Sequence, residues 1–240
     1  MIRLRHTLPL ASLLLAGAAL AQPPGGKRGG GMSRYADPSG VISAEMALGR
    51  LSVDKGEDAA LAKMGAKDAI LFAPQPVFAQ KWLKGRRGAP VSVRWQTRQV
   101  FMSCDGRDAV STGDWVQSDG KRGWYSNLWR RDPKAGFQLV LSSRGARDTA
   151  PEPSDEISGR VAQCPPRERQ RDGAPPQGQA GTLPDVRQPA PMNGEDKSQD
   201  GSLRWRWAVA PDLSRTFDVW MATETGDAQV VSDRVPSPGT

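Results

Sequence analysis

The chain is poor in imidazole. Its 240 residues hold one histidine, His6, in an N-terminal stretch with the marks of a secretory signal. Arg3 and Arg5 form a basic region, and Leu8 to Leu20 is apolar but too short to span a bilayer. Ala19-Leu20-Ala21 is an A-x-A cleavage site, so cleavage is expected between Ala21 and Gln22. No cysteine follows that site, so lipidation is not expected, and Arg3 and Arg5 are not adjacent, so a twin-arginine signal is not indicated. The expected mature chain is periplasmic or secreted and has no histidine. That excludes Ser-His-Asp and Cys-His catalysis and the ordinary zinc sites that use histidine. No metal site and no cofactor are expected.

Cysteine is nearly as scarce. Cys104 and Cys164 are the only two, there is no C-x-x-C, and in an oxidising compartment an even pair predicts a disulfide. Long apolar runs are absent after the leader, so no membrane span is expected. Charge of one sign is also modest. Removing the leader takes the net charge from +7 to +5, and the basic residues are interleaved with acids. Pairs such as Arg86-Arg87 and Arg130-Arg131 read as solvated turn and strand-end residues, and no nucleic-acid partner is expected.

What the chain does have is concentrated in Val91 to Arg144. Asp105-Gly106 and Asp119-Gly120 divide it into runs rich in Val, Trp, Thr and Phe. Asp-Gly suits type I′ turns, and a looser turn follows at Asp132 to Gly136. The pattern predicts an antiparallel meander of four strands at roughly 91–104, 107–118, 121–131 and 137–144. At least three exceed the usual ~5–6 residues, which favours twist and bulges.

Before the meander, Gln22 to Asp37 is Gly-rich and reads as a flexible tether, within a 22–38 segment. Ser39 is the expected N-cap of a helix with Ile42, Met46, Gly49 and Val53 on one face and Glu45 and Arg50 outside. A second helix is expected over Glu57 to Met64, then a strand at Ala69 to Phe72 and a short strand or turn at Val77 to Trp82. After the meander, 148–164 reads as a connector pinned by the disulfide, with a short helix over Ser154 to Gln163. Residues 165–201 read as a disordered linker. Leu203, Trp205, Trp207 and Val209 alternate with Arg204, Arg206 and Ala208, which predicts a half-buried strand. With Thr216 to Ala222 and Gln229 to Val235 it makes a three-strand meander over 202–235, too small to stand alone. It would dock on the first domain or on a partner.

Helix, then Lys67-Asp68-Ala69-Ile70-Leu71-Phe72-Ala73-Pro74, Lys84-Gly85-Arg86, Gly113-Asp114-Trp115, Gly123-Trp124-Tyr125 and Leu128-Trp129-Arg130-Arg131 resembles the nuclear-transport-factor-2-like superfamily. Within it the chain is most similar to the SnoaL-like and ketosteroid-isomerase-like domains, over roughly 39–144 of a 39–147 domain. The resemblance implies an α+β fold, a curled antiparallel sheet over N-terminal helices. It forms a cone with a pocket inside and often dimerises through the sheet. Two departures stand out. Only Arg86 to Pro90 stands where the family has a third helix, and the histidine often used by its enzymes is missing.

Two readings follow from different classes. One is an exported, non-catalytic binding or accessory protein that takes a small apolar ligand or forms a sheet-mediated homodimer. Its pocket would be lined by Trp95, Trp115, Tyr125 and Trp129, each of which could equally be core. The other is an isomerase or dehydratase with Asp114 as base and Tyr125 as oxyanion donor, for which both groups must face one cavity. The alternatives are a solvated carboxylate and a packing ring. A third reading makes the C-terminal meander an envelope interaction surface. This fold carries enzymes and non-enzymes alike, so the fold alone decides none of these.

Overall fold

The two Asp-Gly turns form as expected, but only their glycines carry positive φ (68° at Gly106, 86° at Gly120). They therefore do not have the type I′ geometry, which needs positive φ at both central residues. The computed structural model describes residues 36–86, 93–150, 156–164, 185–186 and 188–239. The expected leader, its cleavage site at Ala21 and Gln22, nearly all of the tether and all of 165–184 lie outside the described residues.

The helices are α1 (Ser39–Lys55), α2 (Glu57–Met64) and α3 (Ala79–Leu83). The main sheet uses β1 (Gly65–Phe72), β2 (Pro76–Phe78), β3 (Val93–Met102), β4 (Asp108–Gln117), β5 (Arg122–Asp132), β6 (Gly136–Ala146) and β7 (Ser158–Val161). The second sheet uses β8 (Asn193–Lys197), β9 (Leu203–Val209), β10 (Arg215–Thr223) and β11 (Gly226–Val235). The seven strands of the first run in the order β2-β1-β6-β5-β4-β3-β7, and the four of the second in the order β11-β10-β9-β8. The expected meander is β3 to β6, antiparallel throughout. β1 joins β6 and β7 joins β3 in parallel, so the whole sheet is mixed. All described residues belong to one compact unit.

Several expectations shift. Asp37, rather than Ser39, supplies the bond at the start of α1, accepting from the Ser39 N–H at 2.9 Å. The buried face of α1 is Val41, Glu45, Leu48 and Ser52, while Met46 and Val53 are exposed. The spacing is still helical, but the helix is rotated so that Glu45 points inward. Within the span expected as a short helix, Ser158–Val161 is instead β7, pairing along the edge of β3. Within the expected 165–201 linker lies β8, so the expected three-strand meander is a four-stranded sheet.

Three layers result. On one face of the main sheet, α1, α2 and α3 bury Val41, Leu48, Leu61, Val100, Trp129 and Leu139 in one core. On the other face the second sheet lays down Leu203, Trp205, Trp207, Phe217, Val219 and Met221 against Phe101, Val110, Leu128 and Leu141. The tip of the β3–β4 hairpin is lashed to the second sheet. Cys104 bonds Cys164 across 60 residues, the Cys104 N–H donates to Ser202 Oγ at 2.8 Å, and the Gln163 N–H donates to the Ala222 carbonyl at 2.9 Å. The second sheet thus covers one face of the main sheet from within the same chain.

Replacing both cysteines, C104S/C164S, is expected to lower the unfolding free energy by up to about 4 kcal/mol, the chain-entropy value for a closed loop of this length. Denaturant unfolding of both proteins without reductant measures it. An unchanged midpoint would mean that the bridge adds nothing to the hydrogen bonds beside it.

Candidate functional site

Two polar assemblies lie on opposite faces of the main sheet. The first is inside the cone, around Glu45. Cross-strand pairing puts Ser111 opposite Asn127, Gly113 opposite Tyr125 and Ala109 opposite Trp129, all on the helix side. Their donors converge on the Glu45 carboxylate. Oε1 accepts from Ser111 Oγ, from Asn127 Nδ2 at 3.0 Å and from Trp129 Nε1 at 2.7 Å. Oε2 accepts from the Tyr125 hydroxyl at 3.2 Å, and that hydroxyl is 3.0 Å from Thr97 Oγ1. Burial pushes the Glu45 carboxyl above its ordinary value, against the four hydrogen bonds that pull it down. Burial and then the Glu45 charge push the Tyr125 phenol well above its own.

All four aromatic residues expected to line a pocket are on this inner face, and they fill it. Trp129, Tyr125 and Glu45 are 0, 1 and 2% exposed. Trp95 meets Tyr125 edge-on at 4.7 Å. The Trp115 indole donates to the Trp124 and Gly145 carbonyls at 3.1 and 3.2 Å. The Tyr125 ring needs Gly113 across from it: a Cβ there would be 2.8 Å from the ring and 2.1 Å from the Gln96 carbonyl oxygen. Trp115, Tyr125 and Trp129 are buried, and Trp95 is half-buried against Tyr125.

Asp114 follows Gly113 in an extended strand and so points to the other face. The expected acid/base pair is thereby divided, with Tyr125 toward α1 and Asp114 toward the second sheet. Both residues line the groove described below, but their side chains leave the strands on opposite faces.

The second assembly surrounds Asp114. A groove of about 520 Å³ runs between the faces of β3–β5 and the strand β11. Arg98 Nε donates to Asp114 Oδ2 at 2.8 Å and Arg147 Nη1 to Oδ1 at 3.1 Å. Arg98 is the extra residue of a β-bulge, since Thr97 pairs with Gly113 and Gln99 with Thr112. A bulge turns two successive side chains to one side, and both Arg98 and Gln99 line the groove. On the facing wall β11 has its own bulge, with Val230 skipped between the pairs of Val231 and Gln229. Arg234 there donates to Asp218 Oδ1 at 2.8 Å, and Arg206 is 3.5 Å from Asp218 Oδ2. Asp233, also on β11, is bonded to Ser126 of β5 through one oxygen while buried Oδ2 has no partner. Burial raises its carboxyl to about 7, and Arg215 and Arg234 oppose the rise.

The sequence reading reached Asp114 but none of Arg98, Arg147, Asp233 or Arg234. The local signal for Arg98 is weak, because a bulge leaves no mark in the alternation. The signal for Glu45 was present in Ser111 and Asn127, polar residues on the inward period of β4 and β5. Among the described residues no group of three or more His, Cys, Asp or Glu could hold a metal ion, and no helix is long and apolar enough to cross a membrane.

Glu45→Ala orphans the buried donors of Asn127 and Trp129 and is expected to cost about 3 kcal/mol or more. Glu45→Gln keeps an acceptor toward them and a donor toward Tyr125, so it costs less. Because the folded-state pKa of Glu45 lies above the ordinary 4.5, its contribution is fully present below that value and is lost as pH rises through the folded pKa. The deficit of Glu45→Gln against the parent protein therefore shrinks as pH rises, which chemical denaturation at several pH values measures. A pH-independent deficit would show that Glu45 titrates normally.

No protein-family profile and no curated protein matches the chain. Solved structures similar to it include a nuclear transport factor 2-like superfamily protein from Salmonella enterica, at 14% identity over 48% of this chain and 99% of that one, TM-score 0.33. A delta 5-3-ketosteroid isomerase from Mycobacterium sp. is 13% identical over 43% and 92%, TM-score 0.33. The CaMKII hub of S. rosetta is 19% identical over 45% and 95%, TM-score 0.34. Helices first, then a curled meander laid over them, is the element order the sequence resemblance implied. The region from Ser39 to Ala146 has that order of elements, with the second sheet added on its outer face.

Proposed function

We propose that the protein is an exported, non-catalytic binding protein whose ligand is small and polar and sits in the groove between the two sheets. One observation carries this reading. The cone interior is occupied by the protein's own side chains around Glu45, whereas the groove is open and lined by charged groups. Its volume falls within the range of small-molecule sites. Two bulges, at Arg98 and Val230, stand on its two walls, and bulges concentrate where a strand must re-aim a side chain toward a site.

The isomerase reading loses its chemistry in this arrangement. Asp114 is held between two guanidiniums and Tyr125 is spent on Glu45. The reading of a small apolar ligand is replaced by a polar one, since the aromatic rings that would have held it are packed. Export to the periplasm or beyond stays part of the proposal and rests on the N-terminal sequence.

Ser232 is exposed at the rim of the groove, with its hydroxyl donating to Asp218 Oδ1 at 3.3 Å, so Ser232→Trp crowds the rim at an expected cost of about 1 kcal/mol for the lost hydrogen bond. Native mass spectrometry of the mature protein, without reductant, is expected to show a polar adduct that leaves on denaturation and is missing from Ser232→Trp. An adduct retained unchanged by the variant, or an apolar adduct, would overturn the assignment to the groove.

A further inference from the structure

A second opening between the sheets lies in the apolar seam beside β8, and it follows from how two tryptophans are held. Gly194 pairs with Trp207 across β8 and β9. The indole sits against it, so that a Cβ at Gly194 would be 2.7 Å from Trp207 Nε1. Phe72 meets the same indole edge-on at 5.4 Å. Trp205 lies beneath the Arg130 guanidinium, 5.7 Å from the ring centroid. Both rings are fixed by other partners, and neither fills the cavity of about 160 Å³ that they line together. Ile70, Leu128 and Val140 of the main sheet line it too. Val140 is the extra residue of a β-bulge, since Leu128 pairs with Leu141 and Trp129 with Leu139. The bulge turns Val140 to the side of Leu141 where alternation would turn it away. Apolar walls on this scale enclose a single ring, as a dry apolar cavity of ~150 Å³ encloses benzene.

The charges beside these walls are mostly negative. Arg130 is spanned by Asp108 at 2.8 Å and Asp196 at 3.2 Å. Asp68 adds a further carboxylate. Ala69 packs on the helix side and Ile70 against the second sheet, so alternation turns Asp68 to the side of Ile70, where it borders the cavity. Among the described residues Asp68 has no hydrogen bond and no ion pair.

We propose that this cavity is a second binding site, independent of the groove, and that its ligand is a small hydrophobic ammonium ion, an arylamine or alkylamine in its charged form. The apolar body leaves water for the walls of Trp205, Trp207, Leu128 and Val140, and the ammonium donates to Asp68. An anion meets carboxylates here, and the one cation beside it, Arg130, is already paired twice. A hard metal ion needs a shell of oxygen ligands, which apolar walls do not supply. An uncharged ring gains nothing from Asp68.

Isothermal titration of the mature protein with benzylammonium, benzyl alcohol and benzoate, which share one ring, tests the inference. Benzylammonium is expected to bind about tenfold or more tightly than benzyl alcohol, the increment of a charge-assisted over a neutral hydrogen bond. Benzoate is expected not to bind. Asp68→Asn is expected to bring benzylammonium down to the level of benzyl alcohol and to leave the alcohol unchanged. Val140→Phe adds a ring to the wall and is expected to abolish binding of both. Its urea midpoint shows whether it folds, and if it does not, Asp68→Asn decides by itself. Ser232→Trp, at the groove, is expected to change nothing. Equal binding of the alcohol and the ammonium, unmoved by Asp68→Asn, would overturn the amine assignment, as would benzoate binding as tightly as benzylammonium. No binding of benzylammonium, or binding that survives both Asp68→Asn and Val140→Phe, would overturn the site itself. Binding lost in Ser232→Trp and kept in Asp68→Asn would put the amine in the groove and overturn the second site.

Discussion

The apolar seam between the two sheets is the constraint on which the rest depends. The inward row of β9 and β10, Leu203, Trp205, Trp207, Phe217, Val219 and Met221, is buried against the outward row of the main sheet, with Phe72 meeting Trp207 edge-on at 5.4 Å. Apolar area removed from water is the dominant favourable contribution to folding. A four-stranded sheet with one greasy face has little independent stability, and this seam is what gives it a place. It covers one face of the main sheet from within the same chain. Where the aromatic row stops and charged residues begin, the sheets part, and the groove lies at that boundary.

The other side of the main sheet shows the same logic with a polar centre. Glu45 sits among Val41 and Leu48 on the buried face of α1, yet Ser111, Tyr125, Asn127 and Trp129 all donate to it. A half-satisfied carboxylate there would be worse than an apolar side chain, because each unmade bond costs its full desolvation. The network fixes the rotation of α1 on the sheet, and Trp129 and Tyr125 then leave no room inside the cone. Filling the inner site and opening an outer one are two results of how the same strands, β4 and β5, divide their side chains between faces.

Much of the fold was legible because the signals were local. Asp-Gly turns marked the hairpins, alternation marked β9, and the two cysteines paired as expected. The failures were tertiary. Ile42, Met46 and Val53 read as the buried face of α1, but Glu45 took the inward position because its partners arrive 66 to 84 residues later. β7 and β8 are short and polar, and nothing in Ser158–Val161 or Asn193–Lys197 demands a strand until an open edge is beside it. Asp114 and Tyr125 were found, but neither the separation of their faces nor the bulge that turns Arg98 toward Asp114 is visible in a one-dimensional pattern.

Hydrogen exchange followed by mass spectrometry tests most directly whether the second sheet is an integral layer and not a detachable tail. Peptides from β9 and β10 are expected to show the protection of peptides from β4 and β5, and to lose it in the same cooperative opening as denaturant is raised. Rapid exchange across 203–223 while 108–132 stays protected would contradict the account, since the face, the seam and the groove would then not be built together.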